Sequence, residues 1–446
     1  MQKNINKNNI NKNNNIIYYK KNNNKMQNKN NEKKNCINLR INFIKELLHD
    51  KDINLIVNYD NNETENFISP VIDNNNNYKK YNENSETNSS NDSSSTDSRF
   101  ILNKKSYDFY DVVRKIGGQL EYIKSGSTGH TFKGNFKSNN IDVNYAVKVV
   151  AYPKKSYYGD MHDIRRPENA ELKMIKTLSY FVVKKQTPHI ILPICTFNTK
   201  ITPFVNLIDN GIIDENNKKY YEFVEKYKKN YYHDTVSILI SEWANRQDFL
   251  DFVRKNYKQF TPKHWKTFFF QIISVLAIIQ YKFPSFRHND LKANNILVDV
   301  DKNYISKPKF RYTINGYVYT IPNIGYQIKI WDFDFSCIPG LVDNAKVSAD
   351  WTDEINIKPI KNRYYDMHYF FNTFIKKGFF PDFMTESCIP DEAKNFINRI
   401  IPKIYQTGKY TSKRGRILIN DEILVPDQVL KKDPYFQEFR TKKLIN

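Results

Sequence analysis

Cysteine is scarce in this chain: Cys36, Cys195, Cys337 and Cys388 are the only four in 446 residues. They are widely separated, with no metal-type spacing among them, so they read as free thiols in a reducing compartment. The opening MQKNINKNN has no apolar core, which argues against a signal peptide. The longest apolar run, from Phe268 to Ile279, is too short to span a bilayer. No internal repeat is visible. These absences lead to the expectation of an intracellular, cytoplasmic protein without a membrane span.

Positive charge, by contrast, is abundant. Lys and Arg number 69 against 48 Asp and Glu, for a formal charge of +21. Such an excess favours nucleic acid, anionic membrane or acidic proteins as partners. An Asn/Lys-rich coding bias would raise the charge just as well. Residues 1–35 carry nine Lys and one Glu, a basic arm that cannot bury enough apolar surface to offset its ordering entropy. It lacks interleaved Arg and any reading module. Nucleic-acid or acidic-partner binding by it would therefore be non-specific and steeply salt-dependent. INLRINFIKELLHD, 37–50, has the apolar spacing of one short amphipathic helix. Residues 74–98 end in NSSNDSSSTDS and read as a flexible linker with candidate phosphoacceptor serines. The whole segment 1–99 is expected to be a disordered arm carrying that helix.

Ordered sequence is expected from about residue 100. From 106 to 150 the pattern is short strands and turns, clearest in IDVNYAVKVVAY, 141–152. RRPENAELKMIKTLSYFVV, 165–183, reads as a helix with Pro167 in its first turn. HIILPICTFN and VSILISEW read as strands, and the polar stretch 203–232 between them as an insertion. TPKHWKTFFFQIISVLAIIQYKF, 261–283, is apolar nearly all round, the mark of a buried helix. A strand-rich region, 100–243, followed by a helical one, 244–446, predicts an α+β fold of two lobes.

Several polar residues sit where burial would be costly. In KSGSTGHTFKG, 124–134, small residues let backbone N–H groups approach phosphate closely, although two glycines in a hairpin equally make an ordinary turn. Lys148 lies mid-strand in YAVK, between apolar neighbours, and needs an anion unless it snorkels to water. Glu168 and Glu171 on the next helix are candidate partners. In RHNDLKANNILV, 287–298, Asp290 can accept a proton or orient a hydroxyl, Lys292 can neutralise phosphoryl charge, and Asn295 offers an amide oxygen suited to Mg²⁺. Asp332 follows an apolar strand in YQIKIWDFDFS, where a metal ion would offset the cost of burying it. Each Asp alone is more simply a turn or cap residue; their order along one chain tips the balance.

Taken together, these pieces resemble a eukaryotic-type Ser/Thr protein kinase from about residue 106 to 439. SGSTGHT resembles the glycine-rich loop, with Gly126 and Gly129 at its second and third glycine positions and Lys124 where the first is usual. YAVK supplies the strand lysine and ELKMI its partner, Glu171. LISEWANRQDF resembles the segment joining the lobes. That likeness implies adenine on the backbone of Glu242 and Ala244, Ser241 as gatekeeper and Asp248 at the ribose. HNDLKANN resembles the catalytic loop, and DFD the DFG motif. Asp366 in RYYDMHYFF resembles the buried anchor of that loop, and VLKKDPYFQEF the end of the family's helical lobe. The resemblance implies ATP with Mg²⁺ or Mn²⁺ as cofactors, protein substrates and a monomer. RRPENAE and the Asn/Lys-rich composition point within the family to the divergent kinases of poxviruses and giant viruses, hence to host cytoplasm or virion.

The departures from the pattern matter too. Asn289 replaces the Arg that ordinarily pairs with an activation-loop phosphate, so activity without such phosphorylation is expected. Asp334 replaces the glycine of DFG, either restricting that backbone or adding a metal-facing carboxylate. Between Asn295 and Asp332 lies a long insert whose alternating aromatics and Asn-Gly turn predict a hairpin. No APE-like triplet follows, and residues 378–426 are not mapped onto the family pattern. Two other readings share these residues. One is a small-molecule kinase of the choline-kinase type, which Lys292 argues against. The other is a pseudokinase scaffold, which the presence of Lys148, Asp290, Asn295 and Asp332 argues against.

Overall fold

A computed structural model describes residues 36–53, 55–57, 59, 102, 104–126, 128–138, 141–213, 216–300 and 308–443. The basic arm over 1–35 and the serine-rich linker over 74–98 lie outside the described residues.

The helix expected over 37–50 forms as α1, Cys36–Leu48. Ile37, Ile41, Ile44 and Leu48 recur at helical spacing and are all buried. They pack α1 against a later helix, Pro167–Val183, so α1 belongs to the core of the β-rich region rather than to the arm. The chain beyond it stays attached: Ile56 donates its N–H to the Ile194 carbonyl at 3.0 Å, and the Tyr59 hydroxyl donates to the Pro193 carbonyl at 2.6 Å.

The β-rich region then runs β1 (Lys105–Ser106), α2 (Phe109–Ile116), β2 (Gln119–Ser125), β3 (Gly129–Ser138), β4 (Ile141–Pro153), α3 (Pro167–Val183), β5 (Pro193–Lys200), α4 (Lys218–Lys228) and β6 (Tyr232–Glu242). Its strands form one sheet in the order β1-β5-β6-β4-β3-β2. Gly129 is required by that sheet. A Cβ there would fall 1.8 Å from the Val149 carbonyl oxygen, so only glycine lets β3 lie this close to β4. Pro167 occupies the first turn of α3, where its missing N–H costs nothing.

After the crossover the chain is mainly helical: α5 (Phe249–Asn256), α6 (Pro262–Lys282), α7 (Tyr365–Asn372), α8 (Asp391–Ile400) and α9 (Pro426–Lys432). Residues Phe268 to Ile279 of α6 are all buried, as its sequence predicts. Strand β7 (Ile296–Val300) precedes the insert, which contains β8 (Lys309–Ile314) and β9 (Tyr317–Pro322). Strand β10 (Tyr326–Ile330) follows it, and β11 (Arg440–Lys443) comes near the end of the chain. The insert is the expected hairpin. Ile314 pairs with Tyr317 across Asn315 (φ 46°) and Gly316 (φ 81°), the left-handed pair of a two-residue turn. Strand β11 adds to β9, and Tyr312 and Tyr319 pack on Phe270 of α6. The hairpin thus braces the main helix of the C-terminal region. This β-rich and then helical α+β arrangement is the one the sequence predicts. Among the described residues, no helix is long and apolar enough to cross a membrane.

Candidate active site

The pairing of β7 with β10 assembles the site. Ile296 lies opposite Ile330, so the loop ending at Asn295 and the segment starting at Trp331 leave the ladder side by side. Lys148, on β4, reaches the same place from the sheet. Its ammonium donates to Glu171 of α3 at 2.5 Å and to Asp332 at 2.8 Å. Glu168, the other candidate, is paired instead with Arg166 at 3.1 Å.

The electrostatics follow from two carboxylates sharing one ammonium. Burial pulls the Lys148 pKa down, but Asp332 and Glu171 together outweigh it and hold it well above the ordinary lysine value. Burial likewise opposes ionisation of Asp332, yet the Lys148 charge keeps that carboxyl well below its usual range. Glu171 is pushed by burial up to about 7, against the pull of Lys148.

Asp290 sits in the neighbouring loop. Its Oδ2 accepts from Lys292 at 2.7 Å and from the Asn295 amide at 2.9 Å. Asp366 of α7 fastens this loop from below, accepting the backbone N–H groups of His288 at 2.7 Å and Asn289 at 2.9 Å. Asn289 (φ 64°) and Asp332 (φ 67°) both hold left-handed backbone. Asn and Asp tolerate that region better than most residues, which fits an Asn at 289. Its side chain donates to the Phe335 carbonyl at 2.9 Å, tying the loop to the segment after Asp332.

A divalent cation fits this donor set. The Asn295 amide spends its N–H groups on Asp290, which leaves a carbonyl oxygen, and Asp332 adds carboxylate oxygen; both are hard ligands of the kind Mg²⁺ takes. Asp334 is neutralised by Lys346 and has no positive φ, so aspartate at this position carries no left-handed strain.

Gly126 donates to the Gly129 carbonyl at 2.7 Å, closing the tip between β2 and β3; Ser127 lies outside the described residues. The 203–232 stretch, read as an insertion, braces this hairpin. His130 packs on Phe223 of α4 at 4.4 Å between ring centres, and Asn217 donates to the Tyr122 hydroxyl at 2.7 Å.

At the crossover, Ala244 is buried and the Glu242 N–H donates to the Leu192 carbonyl at 3.1 Å. The Glu242 side chain is spent on an ion network unforeseen in the sequence. Arg40 of α1 donates to it through Nε at 2.8 Å, and Lys329 of β10 at 3.3 Å. Burial alone would push this carboxyl up; the two cations bring it down to about 2. Asp248 caps α5, accepting the Asp251 N–H at 3.0 Å.

The network makes a testable demand. Arg40→Ala removes one of two cations from a buried carboxylate, so a loss of about 3 kcal/mol at neutral pH is expected in chemical denaturation. Because the folded pKa is depressed, the stabilisation is complete above the ordinary 4.5 and fades as pH falls toward 2. The gap between the two proteins should narrow over that window. A gap that stayed constant from pH 7 to about 3 would refute the pairing.

With this geometry in view, comparison with known proteins is direct. The sequence profile described as poxvirus serine/threonine protein kinase matches residues 157–399. A protein of Acanthamoeba polyphaga mimivirus, provisionally named serine/threonine-protein kinase R400, is 49% identical over 345 residues, covering 76% of this chain and 73% of its own. Serine/threonine-protein kinase 2 of Swinepox virus is 25% identical over 240 residues, covering 52% of this chain and 46% of its own.

Proposed function

Because the chain belongs to the poxvirus serine/threonine protein kinase family, we propose that its cleft binds ATP with Mg²⁺ and transfers the γ-phosphoryl group to Ser or Thr hydroxyls of protein substrates. The convergence of the Lys148 ammonium on Glu171 and Asp332 carries this reading. It joins a strand, a helix and a distant loop at one point, and a structural lysine would not need two carboxylates from separate elements, one of them buried. A divalent cation held by Asn295 and Asp332 would supply charge neutralisation for the transferring phosphoryl group.

The chain's own groups take the remaining roles. Lys148, held by Glu171, grips the α and β phosphates under the tip formed by Gly126 and Gly129. The backbone at Glu242 and Ala244 receives the adenine, and Asp248 lies along the chain where the ribose is expected. Asn295 and Asp332 hold the cation. Asp290 orients the substrate hydroxyl, and Lys292, 2.7 Å from it, offsets the charge that develops on the phosphoryl group.

Incubation with radiolabelled ATP, casein, a basic protein and choline tests the reading. Label on Ser and Thr of protein, absent from choline and lost on chelation of divalent ions, is the expected result. Label confined to choline would replace it with the small-molecule reading, and failure to bind ATP with the scaffold reading.

Side chains of the protein itself fasten the segment after Asp332. Arg287 donates to the Asn356 carbonyl at 2.5 Å and stacks over the Tyr365 ring at 3.8 Å. The Asn356 amide donates in turn to the Ile417 carbonyl at 3.1 Å. Phosphatase treatment of the recombinant protein is therefore expected to leave kcat within about twofold. A loss restored only by phosphorylation between residues 336 and 360 would contradict this.

A further inference from the structure

The Asp290 carboxylate has a partner that no motif announces. Its Oδ1 accepts from the guanidinium of Arg416, 126 residues further along the chain. Arg416 lies beyond the segment that the family profile matches, 157–399. The side chain is 7% exposed and also donates to the Asn289 carbonyl at 3.4 Å.

The loop around Arg416 is built to present this one cation. Ser412 accepts the Gly415 N–H at 2.9 Å and donates its own N–H to the Arg416 carbonyl at 2.8 Å. The Arg416 N–H returns to the Ser412 hydroxyl at 3.0 Å. Gly415 holds φ 90°, which favours glycine, and a Cβ there would lie 3.1 Å from the Asn372 amide nitrogen. Thr411 bridges to Ile417, closing the loop at its base.

Helix α7 receives the loop with residues at three-residue spacing. Asp366 holds the catalytic-loop backbone. Tyr369 places its ring 4.5 Å from the Arg416 guanidinium carbon. Asn372 donates to the Gly415 carbonyl at 2.8 Å. Residues i, i+3 and i+6 lie close together along one side of a helix. One rigid element therefore sets both the backbone under Asp290 and the cation beside its carboxylate. A buried guanidinium is a costly group to keep unless its geometry is used.

We propose that Arg416 is a positioning residue. It fixes the rotamer of Asp290 by holding Oδ1, leaving Oδ2 with Lys292 and Asn295 on the reacting side. It does locally what an Arg adjoining the catalytic aspartate and a phosphorylated loop do elsewhere in the resemblance, and Asn289 leaves that role vacant. The inference rests on the reading of Asp290 as the residue that orients the substrate hydroxyl.

The test compares the full chain with Arg416→Ala, Arg416→Lys, Arg416→Met and Asp290→Asn. Misplacement of a reacting group by an ångström costs on the order of 100-fold, so Arg416→Ala is expected to lower kcat by about that factor. The KM for ATP should stay within about twofold, since nothing at the phosphate grip is altered. Arg416→Lys should recover much of the rate, and millimolar guanidinium should raise the rate of Arg416→Ala but not that of Asp290→Asn. Should the Ala variant not fold, Lys against Met decides, because Met fills the space without the charge.

An Ala or Met variant as active as the native protein overturns the proposal, and a faster one makes Arg416 a brake instead. Parallel loss of ATP binding and melting temperature, without rescue by Lys or guanidinium, also overturns it in favour of a purely structural role. An active Asp290→Asn variant would remove the premise; an inactive one beside a fully active Arg416→Ala removes this inference alone.

Discussion

Asp290→Asn is expected to lower kcat by about 10³-fold while ATP still binds. The carboxylate is the group proposed to take a proton from a hydroxyl, and its neighbours fix it in place. Lys292 and Asn295 hold Oδ2 at 2.7 and 2.9 Å, Arg416 holds Oδ1, and Asp366 holds the backbone of the two preceding residues. An amide keeps the shape and loses the charge, so the phosphate grip around Lys148 is untouched. Steady-state rates with a protein substrate, alongside fluorescence titration with an ATP analogue, measure both halves. Turnover within about tenfold of the native rate would remove Asp290 from the chemistry.

Lys148→Met should cost about as much by another route. It takes away the phosphate contact, for which a loss of at least about 100-fold in kcat/KM is expected. It also leaves the buried Glu171 and the half-buried Asp332 without their shared ammonium, an uncompensated arrangement worth up to about 3 kcal/mol of stability. The two consequences separate in a second variant. Adding Glu171→Gln to Lys148→Met relieves the buried charge and should return part of the stability, while activity stays lost. If the double variant were no more stable than the single one, the buried pair would not be the source of the cost. Near-native activity in Lys148→Met would refute the assignment of the grip itself.

Some parts of this site could be read along the chain because each is local. Lys148 betrays itself as a cation among apolar strand residues, and RHNDLKANN as a run of polar groups between two core elements. ELKMI points to Glu171 rather than Glu168, and it is Glu171 that lies 2.5 Å from the Lys148 ammonium. The Asn-Gly turn of the insert is a two-residue signal and forms as such. Other parts were invisible for a physical reason. Arg40, Lys329 and Arg416 are unremarkable in their own neighbourhoods, and their meaning comes only from anions 202, 87 and 126 residues away. Asn289 and Arg287 were half legible: the missing cation could be seen, but not that Arg287 would reach the Asn356 carbonyl instead.

Periodicity, turn chemistry and short motifs act over a few residues, so the α+β class, the strand-then-helix order and the polar residues read as a phosphotransfer site are legible along the chain. That α1 packs into the fold, that Glu242 is bound in an ion network and that Arg416 stands against Asp290 emerge only on folding. Pairing between distant groups depends on how strands register and helices pack, and a linear pattern of residue types carries no record of that.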